Sequence, residues 1–506
     1  MTNPAPDLAA VSCAFSQALP ASVEMPAGTG KTQLLAATVT ALTLAGSTVL
    51  VLTHTHAGVD AIRRRLKHFH APPLFTVTTI TSFAFRLARA YPTLAGVTVP
   101  AVPAWNDSEA YLQGAVNTCS SRHIRRVLEA SFAVLLVDEY QDNSQLQHEF
   151  VVALSRAIRR IGVLGDPLQA IFGFSDPLVP WPTVTDTFPP FQASIKPWRW
   201  HEHNSALGEW LLAIRPLLTA GATLDLSPQS LPPGVTFVAT QHARRSMQLR
   251  DAVKRIPRTD SAVVISGPRP DQARRMSADL TGEYTTMEDI AGNFMNERLT
   301  RLAATPPEQY SLWLAETIKK CFSGHSGIDR PIMDKLRHGK DIRHLRRDGL
   351  ADAVGALATL TTNPSLHELA AAMDDIRNHP GCLRLHSREA WADMRTAILE
   401  SAAAEDGSVD LVDALARTRD RLRHMGRGNR RRVVSRTLLV KGLEYDHAIL
   451  ADVSAISDAH NLYVALSRGR KTVTILGEND HITVTPTQLA PRPSARGSAR
   501  AKNGRG

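Results

Sequence analysis

The sequence predicts an α/β protein built on open, mainly parallel sheets. Three observations lead there. Apolar runs of strand length alternate with amphipathic helical stretches, the rhythm of strand–helix–strand units. At VEMPAGTGKTQ (23–33) a glycine turn joins a short strand to a helix. Acidic and amide residues cluster where apolar strands end, and open sheets of this kind carry their chemistry along that edge.

The elements follow in order. SVEM is a short strand, PAGTG the turn, and KTQLLAATVTALTLAG the next helix. STVLVLTHT is the continuous apolar run that a strand buried on both faces produces, and AGVDAIRRRLKHF is an amphipathic helix. FTVTTITSF reads as a β-rich run, followed by AFRLARAYP. After a stretch broken by Pro and Gly near 92–107, SFAVLLVDEYQD is an apolar strand ending in acids. IGVLGDPLQAIFGF is another strand with polar groups at its C-terminal end. Beyond Phe174 the prolines thicken, which places a domain boundary near 190. A second α/β series then supplies GVTFVAT, SAVVISG, RRVVSRTLLV, DHAILADV and KTVTILG as strands. Between about 286 and 430 the sequence turns helical, an insertion into that series. The closing stretch is basic and rich in Pro, Ser and Gly, the composition of a disordered tail.

The totals narrow the function class. A chain of 506 residues exceeds one hydrophobic core. Lys and Arg outnumber Asp and Glu by 58 to 48, a net charge of +10 that suits a polyanionic partner. Residues 417–432 concentrate the charge, with eight arginines against one aspartate, and are expected to contact a nucleic-acid backbone. Four scattered cysteines make neither a disulfide framework nor a paired zinc motif, so a reducing, cytoplasmic setting without structural metal is expected. Neither a secretory leader nor a run long enough to span a membrane is expected.

GTGKT nearly completes the phosphate-binding pattern G-x-x-x-x-G-K-[ST], with Met25 where its first glycine stands. Gly28 and Gly30 allow the tight turn, Thr29 lies between them, Lys31 reaches the β and γ phosphates, and Thr32 holds Mg²⁺. Gln33 closes the stretch. Alone, this string is also compatible with a surface turn. Asp138 and Glu139 end a buried strand, a placement suited to a metal ligand and a base that activates water; an ordinary acidic strand cap is the plainer alternative. Gln169 is placed to orient that water, and Arg199 and Arg468 are candidate arginine fingers, although an arginine taken singly is more often a surface residue or an ordinary ion-pair partner.

Taken in series, these motifs resemble the UvrD-like (UvrD/Rep/PcrA) branch of superfamily 1 DNA helicases, as a compact member with reduced accessory insertions. MPAGTGKTQ, LTHTHAGVDAIRRRL, TTITSF, VDEYQDNSQLQ, LGDPLQAIFGF, KPWRW, LLVKGLEYDHAIL and LYVALSRGR run in the family's order. The resemblance implies two RecA-like P-loop NTPase domains with a small insertion in the first and a helical one in the second. The first domain would occupy 1–85 and 123–190 around an insertion at 86–122. The second would occupy 191–285 and 431–485 around an insertion at 286–430, with the tail at 486–506. Trp198 would stack on adenine, and Glu444 would contact the ribose, with Gly442 shaping its turn. Thr53, Thr79 and Ser82 would meet phosphates of the strand, and His54, His56, Phe172 and Phe174 would lie along its bases, with Phe172 equally placed for the core. The family's adenine-reading glutamine has no counterpart at the usual distance; Gln17 stands closer to Lys31.

The implied function is an ATP- and Mg²⁺-dependent helicase or translocase on single-stranded DNA and its junctions with duplex. It would run 3′ to 5′, through a cleft between the two domains that closes on ATP. Two other readings stay open. One is a motor subunit of a nuclease-containing complex for DNA repair or antiviral defence, with weak unwinding alone. The other is a nucleic-acid-binding scaffold with a degenerate ATPase.

Overall fold

A computed structural model of the chain describes residues 6–100, 107–172, 177–241, 244–288, 292–404, 409–425, 430–456 and 458–485. Its contacts separate it into two compact units, Met1–Trp198 with Thr485–Gly506, and Arg199–Val484.

In the first unit, β1 (Ala21–Glu24), β2 (Val49–Thr53), β3 (Phe75–Thr79), β4 (Val134–Val137) and β5 (Arg160–Gly165) form one sheet in the order β1-β5-β4-β2-β3. Every pairing is parallel, so all five C-terminal ends lie along one edge. The central strands β2 and β4 read as unbroken apolar runs because both faces are covered. Side-chain alternation divides the sheet: Leu50, Leu52, Leu135, Val137, Ile161 and Val163 face one core. Val49, Val51, Val134, Leu136 and Leu164 face the other, beneath helices Lys31–Leu44 and His56–His68. Full burial of such a side chain stabilises the fold by roughly 1.5–3 kcal/mol. Beside β1, Ser22 donates to the carbonyl of Pro189 and Phe191 donates back to that of Ser22, so the strand's outer edge is paired.

Two sequence expectations change here. FTVTTITSF is not β throughout, because helix Ile80–Ala90 begins inside it. Thr79 caps that helix through its side chain, and Ile80, Ala84 and Ala88 bury at helical spacing, which outweighs the β-propensity of the threonines. Residues 86–122, expected as a small insertion, contribute Ala88, Ala95, Tyr111, Leu112 and Cys119 to the same core as Leu50 and Leu135.

In the second unit, β6 (Thr223–Asp225) precedes the sheet strands β7 (Val235–Ala239), β8 (Ala262–Ile265) and β9 (Thr285–Thr286). The helical block carries β10 (Phe322–Ser323) and β11 (Arg384–Leu385), which pair antiparallel. Then come β12 (Arg432–Ser435), β13 (Tyr445–Leu450), β14 (Gly469–Gly477) and β15 (His481–Thr483), the last pairing with β6. The main sheet is six-stranded and parallel, in the order β7-β14-β13-β8-β12-β9. Strand β9 was not among the expected strands; two buried threonines are too short a run to stand out. RRVVSRTLLV is a strand only to Ser435, and Thr437–Val440 is a helical turn.

The helical block leaves the sheet after β9 and returns at β12, its neighbour. It has a core of its own around Trp313 and Trp391. Each indole N–H is satisfied, Trp313 by the carbonyl of Arg298 at 2.9 Å and Trp391 by that of Met373 at 3.2 Å. Several arginines of the run 417–432 are engaged inside the unit. Arg417 pairs with Glu400, buried Arg419 with Asp393, and Arg430 with Glu389. Arg432 donates to the carbonyls of Ile256 and Pro257. Its residues 426–429, and the tail at 486–506, lie outside the described residues.

Candidate nucleotide site

Strand β1 delivers the glycine loop to the sheet's C-terminal edge. Met25 extends the strand ladder, donating its N–H to the carbonyl of Gly165 at 2.9 Å, and its side chain is buried. In this loop the left-handed backbone belongs to Gly28 (φ 69°) and Gly30 (φ 96°), so position 25 makes no demand that only glycine meets. Thr29 closes the turn through its hydroxyl, which donates to the carbonyl of Pro26 at 2.7 Å. Helix Lys31–Leu44 begins immediately after Gly30, with no side-chain cap and no acid in its first turn. Lys31, Thr32 and Gln33 are its first residues, whose N–H groups the helix itself leaves unsatisfied. A phosphate fits such an end.

The acids come from β4. Lys31 Nζ lies 2.8 Å from Glu139 Oε1 and 4.0 Å from Asp138 Oδ1. Glu139 adopts φ 53°, a left-handed conformation that is uncommon outside glycine. Burial works to lower the Lys31 pKa, but the charges of Glu139, Asp138 and Asp166 prevail and hold it above its ordinary value. For Asp138 burial is the largest influence and raises its carboxyl, with Lys31 opposing and Glu139 reinforcing. Asp138 Oδ1 is shut off from solvent without a hydrogen-bond partner. A buried carboxylate oxygen of this kind suits a hard cation such as Mg²⁺.

Two residues outside the expected set tie the edge together. Gln141 donates through its side-chain amide to Glu139 Oε2 at 2.5 Å, and its side-chain oxygen Oε1 accepts the backbone N–H of Asp166 at 3.0 Å. Asp166 Oδ2 accepts both the Ala27 N–H of the glycine loop and the Gln169 side-chain amide, each at 2.9 Å. One carboxylate thus joins the loop to Gln169. The sequence marks both only as polar residues beyond the ends of apolar strands; the bonds they make there join separate strand ends.

Beside the loop lies a cavity of about 280 Å³ with a largely apolar wall, including Leu8, Val11, Met25, Leu34 and Trp198. Gln33 also faces it. A Cβ on Gly30 would meet Trp198 Cδ1 at 3.3 Å, which places the indole against the loop.

In the second unit, Arg199, Gly442, Glu444 and Arg468 come together. Arg199 forms an ion pair with Glu444 at 2.9 Å and donates to the carbonyl of Ser467. Gly442 has φ 80°. Arg468 is fully buried, donating to the carbonyls of Val464 at 2.8 Å and Leu443 at 3.0 Å and to the hydroxyl of Ser467 at 2.7 Å. Those bonds hold the turn that carries Gly442 and Glu444.

The expected strand-contacting residues sit along the first sheet's C-terminal edge. Thr53 ends β2 and is buried; His56 opens the following helix. Thr79 accepts the Ser82 N–H and donates to the Ser82 hydroxyl at 2.7 Å, so both hydroxyls take part in the cap. His54 and Phe172 stack on each other, with ring centroids 6.0 Å apart. Phe174 lies outside the described residues.

Residues 107–177 match the family model of the UvrD/REP helicase N-terminal domain. That span, about a seventh of the chain, holds Asp138, Glu139, Asp166 and Gln169. A solved structure, the Escherichia coli DEAH/RHA helicase HrpB, aligns at 10% identity with a TM-score of 0.30. The alignment covers 55% of this chain and 30% of that one, under a third of that helicase. No curated protein matches the chain. Among the described residues, no helix is long and apolar enough to cross a membrane.

Proposed function

We propose that the chain is an ATP-driven motor that moves 3′ to 5′ along single-stranded DNA and opens its junctions with duplex. The observation that carries this reading is Lys31 at 2.8 Å from Glu139, where an uncapped helix end meets a pair of strand-end acids. In the proposed mechanism the glycine loop and Lys31 bind the phosphates, and Thr32 and Asp138 hold Mg²⁺, which when bound offsets phosphate charge. Glu139 takes the proton of the attacking water, and Gln169, positioned by Asp166, orients that water. Arg199 and Arg468 are assigned to the transition-state charge, Glu444 to the ribose and Trp198 to the base. His54, His56 and Phe172 are assigned to bases of the strand, and Thr53, Thr79 and Ser82 to its phosphates.

A second reading, a motor subunit that unwinds weakly without a nuclease partner, is favoured by one observation. The described residues of 86–122 pack into the core of the first sheet through Ala88, Ala95, Tyr111, Leu112 and Cys119, which disfavours a separate duplex-gripping body there. The Lys31–Glu139 pair argues against a scaffold with a degenerate site.

Strand displacement on 3′-tailed, 5′-tailed and blunt duplexes tests the proposal. Displacement with ATP and Mg²⁺ on the 3′-tailed substrate is expected. Equal action on both tails overturns the polarity, and tracking along neither tail overturns the motor.

A further inference from the structure

The cavity beside the glycine loop poses a chemical question. Its wall is largely apolar, yet Gln33 Oε1 is buried there without a hydrogen-bond partner. An amide oxygen removed from water costs free energy until something donates to it. The cavity has flat apolar surfaces from Leu8, Val11 and Trp198, and it adjoins the helix end that suits a phosphate. A planar heterocycle joined to a phosphate chain matches that combination.

We propose that Gln33 selects adenine by pairing its side-chain amide with the N6 and N7 edge of the base. The inference rests on the proposed ATP-driven function and deepens it by naming what sets base choice. A glutamine amide offers one acceptor and one donor side by side. Adenine presents the complement, the N6 amine as donor and N7 as acceptor, whereas guanine presents two acceptors, O6 and N7. Guanine therefore leaves Gln33 Oε1 facing another oxygen. Gln17 does not compete for the role: it is exposed, donates to Cys13 Sγ at 3.5 Å, and is not part of the cavity wall. Gln33 is held by its place in the first turn of helix Lys31–Leu44, so the amide that reads the base and the lysine that binds phosphate share one rigid element.

The test is equilibrium competition of ATP, GTP and 7-deaza-ATP against ribose-labelled ADP, with melting curves to check folding. The wild-type chain is expected to bind ATP at least about tenfold more tightly than GTP. It is also expected to bind 7-deaza-ATP, which lacks the N7 acceptor, more weakly than ATP, a comparison that needs no variant. Gln33→Ala should bring ATP down to the level of GTP, leave GTP little changed, and weaken 7-deaza-ATP, which keeps the N6 amine, by less than ATP. Equal loss of ATP and GTP in the variant, or equal binding of all three by the wild type, overturns the assignment of Gln33 alone. If no nucleotide binds, and Lys31→Ala behaves like the wild type, the ATP-driven function falls with it.

Discussion

At the scale of single residues, Asp138 is held in a position that costs stability. It is buried at the end of β4, with Lys31 Nζ 4.0 Å away, and burial raises its carboxyl to about 6. A carboxyl raised by the fold favours the folded state when protonated, and that contribution is lost as pH rises through about 6. Asp138→Asn should therefore stabilise the protein without nucleotide at pH 7.5 and flatten the dependence of its melting temperature on pH between 5 and 8. The same variant should lose the added stabilisation that Mg²⁺ and ATP give the wild type. Melting curves across that pH range, with and without Mg²⁺ and ATP, decide it; a variant less stable at pH 7.5 would contradict the reading. At this scale the glycine loop, Lys31, Asp138 and Glu139 were legible because their spacing is itself the signal. Gln141 and the bridging role of Asp166 were not, since both act through bonds between separate strand ends.

At the scale of elements, the parallel strands announced themselves through continuous apolar runs, and the failures have physical causes. ITSF begins a helix because Thr79 caps it and its apolar spacing buries one face, neither of which β-propensity registers. The arginines at 417, 419 and 430 read as a charged surface, whereas acids at 400, 393 and 389 on the packed helix Arg388–Ala403 engage them. That helix also carries Trp391, whose ring meets Phe322 edge-on at 4.8 Å. Replacing Trp391 by Ala should cost about 3–5 kcal/mol in the helical block. Denaturant melts should show the loss in the second unit's transition. Nucleotide binding to the first unit should persist, because the Trp391 core is built from residues of the second unit. An unchanged melt would contradict the packing account.

At the scale of the whole molecule, the candidate residues divide between two parallel-sheet units. Lys31, Asp138, Glu139 and Gln169 belong to one, and Arg199, Glu444 and Arg468 to the other. The order of motifs made both α/β series legible, while the pairing of Arg199 with Glu444 and the burial of Arg468 required coordinates. A net charge of +10 agrees with a polyanionic partner without naming one. The account's central claim is that nucleotide hydrolysis in this chain serves movement on nucleic acid. Steady-state ATP turnover, with and without single-stranded DNA, tests it most directly when wild type is compared with Lys31→Ala and Glu139→Gln. The account predicts that DNA raises wild-type turnover and that each variant lowers it by about 100-fold or more. Wild-type turnover indifferent to DNA, or variants that hydrolyse ATP as the wild type does, would contradict it.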